Sequence, residues 1–466
     1  MTSALPPEYL EKVYGRVLGK VIGVLLGRPF EGWTYQKIKQ ELGTITYYVN
    51  SQLKRPLVVT DDDISGTFSF RRALEEHGIS LDITSEAIGN TWLNHGIPCR
   101  SLFWWGGVGV STAHTAFMNL KRGVRAPLSG SIETNGYTVA EHIGARIFID
   151  AWPLLIPGNP ELAAKLTETA ASVSHDGQSV YAAKFLATMQ AMAFASEDLH
   201  HLIDTGLRLV PHGSHVEQVI KDIRKWAKFD NDWEKTRQRA EELYGYDKYS
   251  GACHAIPNLS IFMIAFIDGG HESGQAMKTC GWDTDSNGRN VGSLMVIMHG
   301  LEAFEQGADW RGPLADRVLI SSADGDYSIN NGTRIAYDIA NSGRQLTGEP
   351  PPPLPKDGAQ FHFSLPGRVQ GFQAFMCDML PHLVRIEQAL DSRMRPGLAI
   401  RLRGMTSAIE PVEVFTPTFA PPESVNFQAY DLMASPLVYP GQCLKAVVRA
   451  DLDNTAEVEI RHGLKI

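Results

Sequence analysis

Four consecutive prolines, 350–353 in the stretch GEPPPPLPKDG (348–358), divide this chain. No helix runs through such a tract, because proline lacks the amide hydrogen and its ring clashes with the preceding turn. The tract favours an extended polyproline segment and marks a linker. The sequence differs on its two sides. From 8 to 345 apolar residues recur at helical spacing, in runs of about ten to twenty residues punctuated by Gly and Pro. The spacing predicts helices at Glu8–Gly27, Ser65–His77, Thr84–Asn94, Ser111–Arg122, Val139–Asp150, Pro160–Ser172, Ser179–Ala195, Glu197–Leu209, His215–Lys228, Asp232–Tyr244, Asn258–Ile267, Glu272–Thr279 and Gly288–Gln306. Beyond the prolines, LAIRLRG (398–404), VEVF (412–415), LKAVVRA (444–450) and AEVEIRHG (456–463) alternate or are rich in β-branched residues, as strands are. The expected architecture is an all-α domain over 1–347, a linker over 348–358 and a small β-rich, sandwich-like domain over 359–466.

A length of 466 residues exceeds one average core and agrees with two domains. The net charge of −9 lacks the basic footprint of a general nucleic-acid binder, although a small anionic ligand needs only a local site. The opening MTSALPPEYLEKVYGR has no basic region followed by an apolar one, so a secretory leader is not expected. The apolar run FMIAFI (262–267) is too short to span a bilayer, so no membrane partner is expected. Five cysteines without a C-x-x-C pair fit buried thiols in a reducing compartment, and a cytoplasmic location.

Several short motifs fail on inspection. Asp61-x-Asp63-x-Ser65-Gly66 begins like a calcium loop but has Arg72 where the closing glutamate belongs. GRVLGKV (15–21) lacks the spacing of a phosphate loop, and no G-x-S-x-G marks an esterase nucleophile.

Two acidic stretches remain, VVTDDDISGTF (58–68) and CGWDTDSNGRNVGSL (280–294). Each sits where a loop meets a predicted helix, a place that favours carboxylates. Capping alone accounts for one Asp-Asp pair. Two such junctions, flanked by apolar residues such as Ile264, Phe266, Val291, Leu294 and Ile297, ask for a cation. All candidate donors are oxygens, which suits Mg²⁺, Mn²⁺ or Ca²⁺ better than zinc.

Taken in order, these motifs resemble the ADP-ribosylglycohydrolase family, including its dinitrogenase-reductase-activating type. The family opens with a glycine-spaced helix ending in a glutamate, here Gly19, Gly23, Gly27, Pro29 and Glu31. It continues with Thr60-Asp61-Asp62 and closes with Asp283, Asp285 and Ser286 ahead of Gly288, Gly292 and Gly300. The resemblance implies an orthogonal helical bundle holding two divalent cations, Mg²⁺ or Mn²⁺. Their ligands would be Thr60, Asp61, Asp62, Asp283, Asp285 and Ser286. Asp62 would position or deprotonate the water that attacks the anomeric carbon, and Glu31 would close over the site. Asp63 stands where the family usually has Thr, and either adds a ligand or caps the helix beginning at Ile64.

Weaker signals lie between the acidic stretches. Gly106, Gly107, Gly109 and Ser111 in WWGGVGVSTAH (104–114) form either a diphosphate cradle of backbone N–H groups or a turn between packed helices. Arg146, in TNGYTVAEHIGARIFIDAW, resembles a ribose-side residue of the family, or is a buried ion-pair partner. His175, in SVSHDGQSV, resembles a family site histidine, or is structural.

The leading expectation is a metal-dependent glycosidase releasing ADP-ribose from a protein or a small molecule. A nucleoside-type N-ribosyl glycosidase, with Trp104-Trp105 stacking on a base, is the alternative. A non-catalytic ADP-ribose binder is the third reading. The tail would cover the cleft, bind carbohydrate or form a homo-oligomer contact.

Overall fold

The computed structural model describes residues 5–249, 254–268, 281–304, 307–351, 358–375, 384–404, 412–420, 422–424, 430–450 and 459. Its body is a bundle of crossing helices. Seven of them place the site: α1 (Tyr9–Gly27), α2 (Asp62–Phe70), α3 (Thr112–Lys121), α4 (Gly177–Met192), α5 (Ala255–Asp268), α6 (Thr284–His299) and α7 (Gly332–Thr347). α4 and α5 are apolar on most faces and lie in the core, as such helices must. α7 buries Ile335, Ala336, Ile339 and Ala340, one stripe at helical spacing, against α1.

The closest packing is between α1 and α6, which run antiparallel. A methyl group added at Gly23 would stand 2.5 Å from the Arg289 Cα, and one at Gly19 2.6 Å from the Gly292 carbonyl oxygen. One at Gly288 would stand 2.9 Å from the Gly23 oxygen. Glycines four residues apart thus form a seam on which the two backbones touch. At its end, α1 runs into Arg28–Glu31 beside the first turn of α6, where Thr284 Oγ1 donates to the Gly27 oxygen at 2.8 Å.

Beneath this seam lies a buried ion network. Arg16 and Lys20 of α1 both reach Asp150 at 2.8 Å, and Arg289 of α6 bridges Asp150 and Asp63. Gln190 Nε2 of α4 donates to Asp150 Oδ1 at 2.9 Å, the oxygen that Arg16 also reaches. Burial alone would push the Asp150 carboxyl up, but Arg289, Lys20 and Arg16 outweigh it and hold it far below the usual range.

Several predicted helices shift for identifiable reasons. The helix expected at Ser65–His77 begins at Asp62, because Asp61 caps it, and breaks after Phe70 before resuming at Ala73–His77. Val139–Asp150 is two helices, Ile132–Ala140 and Gly144–Phe148. Between them His142 pairs with His254 as an isolated β-bridge, and the Glu141 carbonyl accepts the Ala255 N–H at 2.9 Å. α6 begins four residues before its expected start and ends at Gly300, whose φ of 69° leaves the helical region. The helix expected at Glu272–Thr279 lies outside the described residues. Cys99 and Cys443 are exposed, not buried as expected.

The tail carries small antiparallel sheets. β1 (Arg317–Leu319) and β2 (Ile329–Asn331) pair within the body, while β3 (Gln373–Phe375) pairs with β6 (Glu413–Phe415) and β4 (Val384–Leu390) with β5 (Pro396–Leu402). β5 and β6 fall on two of the expected strands. Residues 444–450 carry no strand, and 456–463 lie outside the described residues apart from Glu459. Two stretches of the tail are built into the helical body. Arg368 is buried with its guanidinium 3.9 Å from the Tyr14 ring centre. Tyr430 lies against the N-terminus of α2, where the Thr60 hydroxyl donates to its carbonyl at 2.7 Å, and residues 431–435 are bonded to Arg100, Ser321, Ser328 and Gly325. Among the described residues, no helix is long and apolar enough to cross a membrane.

Candidate active site

The two acidic stretches meet. Asp61 Oδ1 accepts the Asp63 N–H at 2.9 Å and caps α2, so the capping role and the site role fall on one residue. Asp285 sits in the first turn of α6, held there by the glycine seam. Carboxylate oxygens of Asp61, Asp63 and Asp285 lie within 4.8 Å of one another, and all three residues are buried. Asp285 Oδ1 has no hydrogen-bond partner, and Asp61 Oδ2 faces Arg28 Nε at 2.9 Å without an aligned hydrogen bond. A buried carboxylate oxygen with no partner, as Asp285 Oδ1 is, is costly unless a cation completes it. An all-oxygen set of three acids fits a hard divalent ion.

Asp63 was left open by the sequence and joins this cluster. It also accepts the Ser286 hydroxyl at 3.0 and 3.1 Å and takes an ion pair from Arg289, so it does not cap the helix. Of the other expected ligands, Thr60 donates its hydroxyl to the tail, Ser286 is committed to Asp63, and Asp62 and Asp283 face an adjoining cavity.

That cavity has a volume of about 370 Å³. Its acidic lining is Glu31, Asp62, Asp63 and Asp283, and His142, His175 and Phe148 line it as well. Trp104, Ser111 and Tyr430 also border it. Glu31 is ion-paired with Arg28, and its loop is tied to the start of α6 by two short bonds, Gly32 N–H to the Trp282 oxygen and Trp282 N–H to the Trp33 oxygen, both 2.6 Å. Trp282 holds a left-handed φ of 62°, an uncommon conformation for a bulky residue and one that clusters at functional sites.

Burial and mutual repulsion act together on the acids. Asp62 and Asp285 are pushed well above the usual carboxylate range by burial and then by their acidic neighbours. Burial raises Asp61 to about 6, against the pull of Arg28. Desolvation raises Glu31 to about 7, again against Arg28; its side chain is 40% open to cleft water, so the fully enclosed Asp61 defines the pH window better. The histidines of the lining go the other way. Burial lowers His142 to about 4 and His175 to about 3, so both imidazoles are neutral at physiological pH. His175 Nδ1 is bonded to the Ser174 hydroxyl at 2.7 Å, and Nε2 of each histidine has no hydrogen-bond partner.

The glycine loop at 104–114 borders the cavity with several of its amides committed. Gly107 N–H donates to His114 Nδ1 at 3.1 Å and Gly109 N–H to Thr115 Oγ1 at 2.8 Å, while Ser111 N–H returns to the Gly107 carbonyl. Ser111 caps α3. Gly106 has a different use: a methyl group there would stand 2.2 Å from the Trp104 ring, which lies over it. Arg146 does not border the cavity. It is wholly buried, with Nη2 on Asn287 Oδ1 at 3.2 Å and Nε and Nη1 without hydrogen-bond partners.

Sequence reasoning passed over Arg28, His142 and Tyr430. Arg28 and His142 lie inside stretches already singled out, GRPFEG and EHIGAR, so their neighbours were the available signal. Tyr430 had none, because it comes from the tail.

The family model for ADP-ribosylglycohydrolase matches residues 5–336, and the chain belongs to that family. Its fold is accordingly the helical bundle of that family, with an additional C-terminal region. A solved chain described as "ADP-ribosylglycohydrolase-related protein complex" is similar at 16% identity with a TM-score of 0.48, over 73% of this chain and 100% of that one. No curated protein matches the chain.

Proposed function

We propose that this chain is a metal-dependent hydrolase of the glycosidic bond at the anomeric carbon of ADP-ribose or a related ribosylated compound. The observation that carries the reading is the convergence of Asp61, Asp63 and Asp285, with the buried Asp285 Oδ1 unsatisfied, beside a cavity of ligand size. Asp61, Asp63 and Asp285 would hold a divalent ion, Mg²⁺ or Mn²⁺, with Asp62, Asp283, Thr60 and Ser286 as further candidate ligands for a pair of ions. A bound ion would supply Lewis-acid chemistry, lowering the pKa of a water and gripping ribose hydroxyls.

The chain's own groups divide the remaining work. Asp62 faces the cavity and takes the proton of the attacking water. Asp62 and Glu31 place negative charge where the ribosyl ring becomes oxocarbenium-like. The neutral histidines that line the cavity add no positive charge beside that centre. Trp104, 44% exposed at the border, offers a stacking face for a base. We place the substrate end of the 104–114 loop at Trp104 and Ser111, since the amides of Gly107 and Gly109 are already bonded.

The alternative, a nucleoside-type glycosidase, is favoured by those committed amides, which leave less for a diphosphate. The test is hydrolysis of ADP-ribosyl-arginine, ADP-ribosyl-serine, O-acetyl-ADP-ribose and nucleosides, read by mass spectrometry with Mg²⁺ or Mn²⁺ and with chelator. Chelator-sensitive release of ADP-ribose is expected. Release of free base from nucleosides would select the alternative. A binder without turnover would leave every compound intact.

A further inference from the structure

Tyr430 lies beyond the family match yet enters the site. Its contacts converge on one run of the chain. The phenol donates to Asp62 Oδ1 at 2.9 Å, and the Tyr430 carbonyl accepts the Thr60 hydroxyl at 2.7 Å. The ring centre lies 5.6 Å from the Arg28 guanidinium, the same group that pairs with Asp61. One tail residue therefore braces Thr60 and Asp62 directly, and faces the cation that pairs with Asp61.

The segment that carries it is tied down over several residues. Asp431 N–H donates to the Arg100 oxygen at 2.8 Å, and the Asp431 oxygen accepts the Ser321 hydroxyl at 2.7 Å. The Ser328 hydroxyl donates to the Met433 oxygen at 3.1 Å, and Ser435 N–H to the Gly325 oxygen at 3.2 Å. Gly325 is needed for that approach, since a methyl group there would stand 2.4 Å from Ser435 Oγ. Tyr430 itself is only 6% exposed.

A carboxylate beside two like-charged neighbours is driven to swing away from them unless a donor fixes it. Among the described residues, the Tyr430 hydroxyl is the hydrogen-bond donor that the structure places on the Asp62 side chain. We propose that Tyr430 is a positioning residue: its hydroxyl fixes the orientation of Asp62 in the cleft, and its ring closes that side of it. The tail thereby completes an active site whose acids all come from the helical body. The inference rests on the reading that Asp62 serves the reaction.

The test compares full-length wild type, Tyr430→Phe and Asp431→Asn. Phenylalanine keeps the ring and removes only the hydroxyl. Asp431→Asn loosens the surface ion pair to Arg100 without touching the cleft, and controls for tail docking. Crystal structures of wild type and Tyr430→Phe read the Asp62 side chain directly, and turnover of the best substrate is split into kcat and KM. Expected in Tyr430→Phe are more than one orientation of Asp62, a kcat lower by about tenfold or more, as suits loss of a hydrogen bond to a charged group, and little change in KM. Thermal midpoints should stay within about 2 °C in both variants. A single, unchanged Asp62 orientation in Tyr430→Phe overturns the proposal, and so does an unchanged kcat. Parallel losses of stability and rate in both variants also overturn it, by showing a tail-docking role only. If wild type hydrolyses no ribosylated compound, the functional reading fails, while the Asp62 orientation still decides the role of Tyr430.

Discussion

A methyl group on Gly27 would stand 2.4 Å from the backbone nitrogen of Asp285. The end of α1 and the start of α6 therefore meet main chain to main chain, and the acidic motif of α6 is set by that contact. Gly27→Ala forces backbones apart where no side chain can yield. The expected cost is about 3 kcal/mol, the upper part of the overpacking range, with weakened binding of divalent ions. Urea denaturation and calorimetry with Mn²⁺ check both. A stable variant with native Mn²⁺ affinity would show that the seam does not position the site.

Removing the acids separates fold from function. Asp62→Ala and Asp285→Ala should each abolish metal-dependent turnover and leave the helical circular dichroism largely intact. Asp61→Ala should lose divalent binding and also about 1 kcal/mol, because the same side chain caps α2. Full activity in Asp62→Ala or Asp285→Ala would sink the site assignment.

Metal and pH are linked with a definite sign. Asp61 is raised to about 6 without metal, so the folded apo protein holds protons that the unfolded chain releases near pH 4. This contribution is fully present below about pH 4 and is lost as pH rises through about 6. A divalent ion needs the carboxylates ionised, so its affinity rises over the same window. The difference in thermal midpoint between Mn²⁺-loaded and chelated protein should grow from pH 4.5 to 7, those being about the limits the titration sets. A difference that is flat or falls with pH would contradict the acid cluster as the binding site.

The histidines carry the opposite sign. His175 is lowered to about 3 and His142 to about 4, so the unfolded state takes up protons that the folded state refuses. Their contribution is present above about pH 6.5 and is lost as pH falls towards 4. Replacing His175 by Gln should flatten the acid side of the stability curve, measured by denaturation at matched pH with chelator. An unchanged slope would mean that His175 is not held neutral by the fold.

The buried network makes a fifth test. Arg289→Met leaves Asp63 and Asp150 short of their shared cation, and breaking a buried pair in this way costs about 3–5 kcal/mol. Equilibrium unfolding measures it directly. A loss below about 1 kcal/mol would show that Arg16 and Lys20 suffice.

Much of the site was legible because its residues repeat within short windows. Glycines four apart in α1 and α6 carried part of the family resemblance, while their close packing showed only in the structure, and the acidic stretches announced the junctions where they sit. Boundaries failed where tertiary bonds overrode periodicity, as when His142 joined His254 and split a predicted helix. The network around Asp150 was invisible, since Arg16 and Lys20 resemble any cations on an amphipathic helix until their burial is known. Asp63 was legible only as one of two choices, because its partner Arg289 is distant in sequence. Tyr430 stood in a segment with no period and no motif. Its meaning arises from a contact across 368 residues, which no local pattern encodes.

The way the tail is held against the N-terminus of α2 bears on how this chain can be cut. Removing the tail after Thr347, the last residue of α7, would keep every acidic residue of the cluster and take Tyr430 out of the cleft. The trimmed body would present a wider mouth, a Thr60 hydroxyl without its acceptor and an Asp62 free to turn. The stretch that the family model matches is thus shorter than the stretch that builds this cleft.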